Sequence, residues 1–153
     1  MLVKLTKYQV SYYWPLIKQA VDGIDVPRNN PDMGKRRREV LRKLLIEELL
    51  CWVVVRDDGE GNSRISAFMI TGTLTNELEG FKDHYIYILY TLPKEVIKIR
   101  EWQENFETLK KYAKGIGCDR VTGGSYYKRV IDMAKVMGFD TNFTFVSYDL
   151  SQD

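Results

Sequence analysis

Histidine is almost missing from this chain, with His84 the only one, and cysteine is scarce, with Cys51 and Cys118 alone. The two cysteines have no metal-like spacing, and both lie beside predicted strands. Buried free thiols in a reducing compartment are therefore expected, with no metal site. No apolar run approaches the length needed to cross a bilayer, so no membrane contact is expected. The opening MLVKLTKYQV lacks the apolar centre of a signal peptide, which makes the cytoplasm the expected location. A formal net charge of +2 is too small to imply nucleic acid or a membrane surface. There is no internal repeat and no low-complexity tract. What is present is a globular composition over 153 residues, 44% hydrophobic and 29% charged, enough for one domain with its own core. Aromatic residues reach 12% with ten tyrosines, which points to a Tyr-lined surface or to an interface of a homo-oligomer.

Residues 2–5 read as a short first strand. Ser11 is placed to cap a helix carrying Tyr12, Tyr13, Leu16, Ile17 and Ala20 on one side, with Gly23 ending it and Pro15 requiring a place in the first turn. Residues 22–34, DGIDVPRNNPDMG, hold two prolines and two glycines and read as a loop. We expect this loop to lie near any binding surface. A second helix is predicted over 35–50, with Val40, Leu41, Leu44, Leu45 and Leu49 on its inner face. A hairpin follows, residues 52–56 and 64–75 around a polar turn. Residues 85–92, YIYILYTL, form an unbroken apolar run, which predicts a strand covered on both faces at the centre of a sheet. Pro93 stops it, and a helix over 96–116 buries Val96, Ile99, Trp102, Phe106, Leu109, Ala113 and Ile116.

The stretch from Cys118 to Phe139 organises the C-terminal part. A short strand over 119–122 meets Gly123 and Gly124. Ser125 stands where a helix N-cap is wanted, and Tyr127, Val130, Ile131, Ala134 and Met137 recur on one helical face. Gly138 suits the helix stop. Residues 143–150, with Phe143, Phe145, Val146 and Tyr148, read as a final strand. The order β, α, α, β, β, β, α, β, α, β satisfies a central mixed sheet with helices on both faces.

The run Tyr112-Ala113-Lys114, Gly117-Cys118-Asp119-Arg120-Val121, Met133 to Phe139 and Val146 to Leu150 resembles the C-terminal part of the GNAT superfamily of acyl-CoA N-acyltransferases. It looks most like divergent GNAT-like proteins of tailed phages and prophages. The resemblance is carried by order and spacing over about the last two fifths of the chain, and elsewhere by element order. It implies a single-domain α/β (α+β) fold with a mixed, mostly antiparallel sheet. It implies acetyl-CoA at the splayed end of the fourth strand, beside Leu89, Tyr90, Thr91 and Leu92, with Lys94 and Val96 in the next turn. The superfamily holds the cofactor's pyrophosphate on backbone N–H groups of a glycine-rich turn opening the following helix, where a helix N-terminus favours an anion.

This chain departs from that pattern. The window Arg100-Glu101-Trp102-Gln103 has no glycine, nor has Lys94-Glu95-Val96, and Glu95 or Glu101 opposes a pyrophosphate. The family tyrosine that protonates the leaving thiolate, four residues before the glycine of Gly-Phe, is Ala134 here. Tyr127 lies about two turns upstream. These departures lead us to expect weak or absent acetyl-CoA binding. His84 with Asp83 beside it is a conceivable general base for amine acylation, against a surface loop histidine as the ordinary reading at roughly four to one. Lys35-Arg36-Arg37-Arg38 is more often a solvated face than a phosphate-binding patch, at roughly three to one, so nucleic acid is not the expected partner. Two functional readings stand side by side. One is N-acetyl transfer to an unidentified acceptor amine through an altered cofactor site. The other is a non-catalytic phage-encoded protein, virion-associated or engaging a host protein.

Overall fold

The structure, a computed structural model, describes residues 1–23, 32–148 and 150. Among the described residues five strands form one sheet in the order β1-β2-β3-β4-β5: Leu2–Lys4, Leu49–Asp57, Ser63–Thr75, Lys82–Thr91 and Arg120–Gly123. The first four pair antiparallel, and β4 pairs parallel with β5. The helices that cover it among the described residues are α1 (Lys7–Asp22), α2 (Met33–Leu45), α3 (Ile99–Gly115) and α4 (Lys128–Val136).

Strand alternation splits the apolar residues between two cores. On one face Val53, Phe68, Ile70 and Ile88 meet Val10, Ile17, Ala20 and Val21 of α1 and Leu44 of α2. On the other, Trp52, Val54, Ala67 and Met69 meet Trp102 and Leu109 of α3, with Met133 and Met137 of α4 packed beside them. This is a mixed sheet with helices on both faces, as the element order predicts.

The chain differs from its sequence reading at several points. Helix α1 begins four residues before Ser11. Thr6 Oγ1 accepts from the Gln9 amide (3.3 Å) and Gln9 Oε1 from the Thr6 amide (2.8 Å), a capping box that outcompetes the later serine. Pro15 therefore lies well inside the helix. It sits on the exposed side, where the Ser11 carbonyl that it leaves unbonded meets water. Helix α2 stops at Leu45, because Glu47 turns the chain at φ 61° and Leu49 enters β2. Leucines at 44, 45 and 49 mimic a continued helical face across that turn. The predicted loop falls largely on 24–31, outside the described residues.

The run 85–92 lies in β4, which is penultimate, and β3 is the middle strand. All residues 66–72 of β3 are buried, but Ser66, Thr71 and Gly72 interrupt its apolar pattern and hide its rank. Residues 140–148 join no strand, contrary to the predicted final strand. Ser125 does not cap α4 directly: its Oγ accepts from the Tyr127 amide (3.1 Å), and Tyr127 is the N-cap. Cys51 is a buried free thiol, its pKa pushed up to about 12 by burial, and Cys118 is free and half-buried.

Candidate functional site

The sheet opens where β4 and β5 part. Their parallel register runs from Asp83↔Arg120 to Ile86↔Gly123, where β5 ends. Strand β4 continues to Thr91, still paired with β3. At the parting point the β3–β4 register steps from Ile70↔Ile88 to Thr71↔Ile86, so Tyr87 is an extra, bulged residue. Residues 87–91 thus have a strand on one side only, among the described residues. An extended ligand carrying amides can lie along that edge and use its unpaired backbone groups.

The sequence-derived cofactor residues line this opening and the turn after it. Leu89 is exposed, and Tyr90 packs across Gly23 at the end of α1, where a Cβ would stand 3.5 Å from the tyrosine ring. Thr91 and Leu92 are half-buried, and the Leu92 amide donates to the Ser66 carbonyl (2.9 Å). Lys94 is exposed at φ 67°, a left-handed conformation uncommon for a residue with a side chain. Val96 is exposed.

The turn is held by four charges from distant parts of the chain. Arg56, at the end of β2, donates through Nη2 to both Glu101 oxygens (2.7 and 2.6 Å) and to the Val96 carbonyl (2.6 Å). Its Nη1 donates to Glu95 (3.2 Å), and Arg64 Nε donates to the other Glu95 oxygen (2.8 Å). Glu101 Oε2 also accepts from the Lys98 amide (2.8 Å), which places a carboxylate in the first turn of α3. That amide first, and Arg56 second, hold the Glu101 carboxyl below its ordinary range. The Arg64 hydrogen bond does the same for Glu95. The helix end is therefore already supplied with an anion from within the chain. A diphosphate at this helix end would face the carboxylates of Glu101 and Glu95, which fit a phosphate group poorly.

His84 is not a surface residue. It faces the α3 side of the sheet, fully buried, its ring 5.7 Å from that of Tyr112. Neither ring nitrogen has a hydrogen-bond partner, and burial pushes its pKa down. Asp83 does not join it: both Asp83 oxygens accept from Arg120 of β5 (2.8 and 3.0 Å). Tyr127 is exposed at the start of α4, and Ala134 is half-buried on that helix. His84, Asp83 and Tyr127 therefore do not converge on one reacting centre. Of the basic run, Arg37 is engaged by Asp22 through two hydrogen bonds (2.7 and 2.6 Å), which ties α2 to α1. Among the described residues no cluster could hold a metal ion, and no helix is long and apolar enough to span a membrane.

Sequence reasoning found Glu95 and Glu101 but missed Arg56 and Arg64. These lie 39 to 45 and 31 residues away along the chain from the carboxylates they meet, and nothing local signals the pairing.

No family model and no curated protein matches the chain. Solved structures do. A probable acetyltransferase superposes with a TM-score of 0.71 at 14% identity, over 98% of this chain and 96% of its own. A predicted acetyltransferase from Clostridium acetobutylicum, solved with acetyl-CoA, gives 0.70 at 16% identity over 100% and 97%. AAC(6')-Iy, in complex with a bisubstrate analogue, CoA-S-monomethyl-acetylneamine, gives 0.68 at 14% identity over 97% and 96%. The fold of this chain is the GNAT acetyltransferase fold, and at these identities the likeness shows the fold alone.

Proposed function

We propose that this protein is a GNAT-fold relative of the N-acyltransferases whose acyl-CoA site is closed at its phosphate end by its own charges. Acetyl-CoA binding is weak, and acetyl transfer to an amine is slow or absent. The observation that carries this reading is the Glu101 carboxylate, hydrogen-bonded to the Lys98 amide and clamped by Arg56 at the N-terminus of α3. In the superfamily pattern that helix end meets the pyrophosphate. The opening beside residues 87–91 persists, so a pantetheine-like amide chain retains a place to lie. What is missing is the anion seat. The absence of a tyrosine at position 134 supports the same reading, because a departing thiolate there has no positioned proton donor.

A second reading, a non-catalytic protein that binds a macromolecular partner, in a phage particle or a host cell, is favoured by the exposed apolar residues Phe143, Phe145 and Val146.

Calorimetric titration with acetyl-CoA tests the proposal. The unmodified protein is expected to bind with a dissociation constant of about 1 mM or weaker, about −4 kcal/mol. The Glu95→Gln/Glu101→Gln variant keeps hydrogen-bond acceptors but removes both charges, and should bind at least about tenfold tighter, a change of roughly 1.4 kcal/mol. Micromolar binding by the unmodified protein would defeat the proposal.

A further inference from the structure

The whole-chain charge of +2, which makes nucleic acid unexpected, is the sum of two opposite regions. Residues 1–45 hold ten basic residues against four acidic ones, a net of +6, while the rest of the chain holds thirteen against seventeen, a net of −4. Helix α2 carries the excess: six of its thirteen residues are Lys or Arg and one is acidic. Lys35 and Arg36 are among its first four residues, where the helix dipole disfavours cations, and no acidic residue stands in that turn. Arg38 and Arg42 are like charges one turn apart. These placements do not stabilise the helix itself.

The carboxylates nearby are already engaged. Both Asp22 oxygens accept from Arg37, Asp32 Oδ1 accepts from the Lys35 amide (2.9 Å), and Glu39 pairs with Arg42 (3.1 Å). Arg37 first, with Lys18 and Arg36 adding to it, holds the Asp22 carboxyl below its ordinary range, so three cations bear on one carboxylate. Lys18, Lys35, Arg36, Arg38 and Lys43 form no ion pair among the described residues. From Lys35 to Lys43 the helix runs about 12 Å at about 1.5 Å per residue, longer than one phosphate and matched to successive phosphates of a chain.

The neighbouring helix adds flat rings. Tyr8 and Tyr12, one turn apart on α1, are each 77% exposed, on the side opposite the buried Val10, Ile17 and Val21. The Lys7 ammonium lies 5.5 Å from the centre of the Tyr8 ring. Helix α2 turns Val40, Leu41 and Leu44 into the core, so charge dominates its solvent side. That suits a hydrated polyanion and not insertion into lipid, which needs an exposed apolar face. Both helices lie on the sheet face opposite α3, apart from the charge cluster at the start of that helix.

We propose that the α1–α2 layer binds single-stranded nucleic acid. The five cations take successive phosphates, and Tyr8 and Tyr12 stack on unpaired bases. The test is fluorescence anisotropy of a labelled single-stranded RNA of about 20 nucleotides, titrated with the full chain. Five phosphate contacts give a salt slope of about −3.5, so binding should weaken about a hundredfold between about 50 and about 200 mM salt. Arg36→Gln/Arg38→Gln/Lys43→Gln spares the link between Arg37 and Asp22 and should reduce that slope by about 2. Tyr8→Ser/Tyr12→Ser should weaken binding at least about tenfold with the slope unchanged, the mark of lost stacking. If the triple variant loses the parental far-UV spectrum, the tyrosine variant decides alone, since both its rings lie in solvent. No binding at about 100 µM protein and about 50 mM salt would overturn the proposal. So would equal affinity for the complementary duplex or for polyglutamate, which present charge without unstacked bases. Tighter binding to vesicles containing phosphatidylserine, or binding unchanged in either variant, would overturn it too. None of these outcomes depends on whether acetyl-CoA binds.

Discussion

Replacing His84 by Leu should remove a pH dependence of stability between about pH 6.5 and 5.5. The imidazole is fully buried with neither nitrogen bonded. Burial strips the charged imidazolium of its water, so the folded-state pKa lies below the ordinary value of 6.5. Above that value the imidazole is neutral in both states and contributes no slope. Below it, the unfolded chain takes up a proton that the folded chain refuses, so stability falls as pH drops from about 6.5 toward the folded pKa and flattens beneath it. The limiting slope is about 1.4 kcal/mol per pH unit, so by pH 5.5 the loss is at most about 1.4 kcal/mol. That is a measurable share of a domain's total of roughly 5 to 15 kcal/mol. Urea unfolding followed by tryptophan fluorescence at pH 7.5 and 5.5 reads it directly. Glu95 and Glu101 are held below their ordinary range, so their contribution is lost only at more acid pH and leaves this window to the histidine. His84→Leu should be as stable as the parent at pH 7.5 or more so, because it removes two unbonded polar atoms from the interior, and should show no loss at pH 5.5. An equal loss in both proteins would refute the reasoning.

Two further outcomes follow from packing. A Cβ at Gly72 would stand 2.8 Å from Leu49 Cδ2 and 3.1 Å from Tyr87 Cε2, so Gly72→Ala should cost about 1 to 2 kcal/mol in urea melts, most of it recovered on adding Leu49→Ala. Ile88, 4% exposed between β3 and the α1 layer, should not tolerate Asp, and a soluble, cooperatively melting Ile88→Asp protein would show β4 to be misplaced.

The elements whose apolar spacing is local were legible in the sequence. The periodicities of α1 and α3, the hairpin of β2 and β3, and the strand–glycine–helix stretch around Gly123 all appear within three residues of their predicted places, save the start of α1, although Val96, Ile99 and Ile116 at the ends of the predicted third helix are exposed and not buried. The order of strands in the sheet was not legible, because an unbroken apolar run reports cover on both faces and β4 has that cover at the penultimate position. The middle strand β3 hides its rank behind Thr71, whose hydroxyl accepts from Trp52 Nε1 at 2.9 Å, and behind Gly72, whose bare backbone makes room for Leu49 and Tyr87. Of the site, the missing glycines and the two carboxylates could be read directly. The arginines that neutralise them could not, because their meeting depends on the hairpin end lying beside the β4–α3 turn.

That meeting explains how the fold can keep an anion-seeking helix end without an anion from outside. The first turn of α3 leaves backbone N–H groups without helical partners, and the superfamily pattern answers them with a diphosphate. Here Glu101 answers one of them, and its charge would be costly beside Glu95 if both were left alone. Arg56 removes that cost by contacting both carboxylates, and Arg64 takes the remaining Glu95 oxygen. The cluster is complete: two carboxylates, two guanidiniums and the Val96 carbonyl. On the function proposed above, a diphosphate here would compete with Glu101 for Arg56, and the arrangement that fixes the turn would oppose the cofactor.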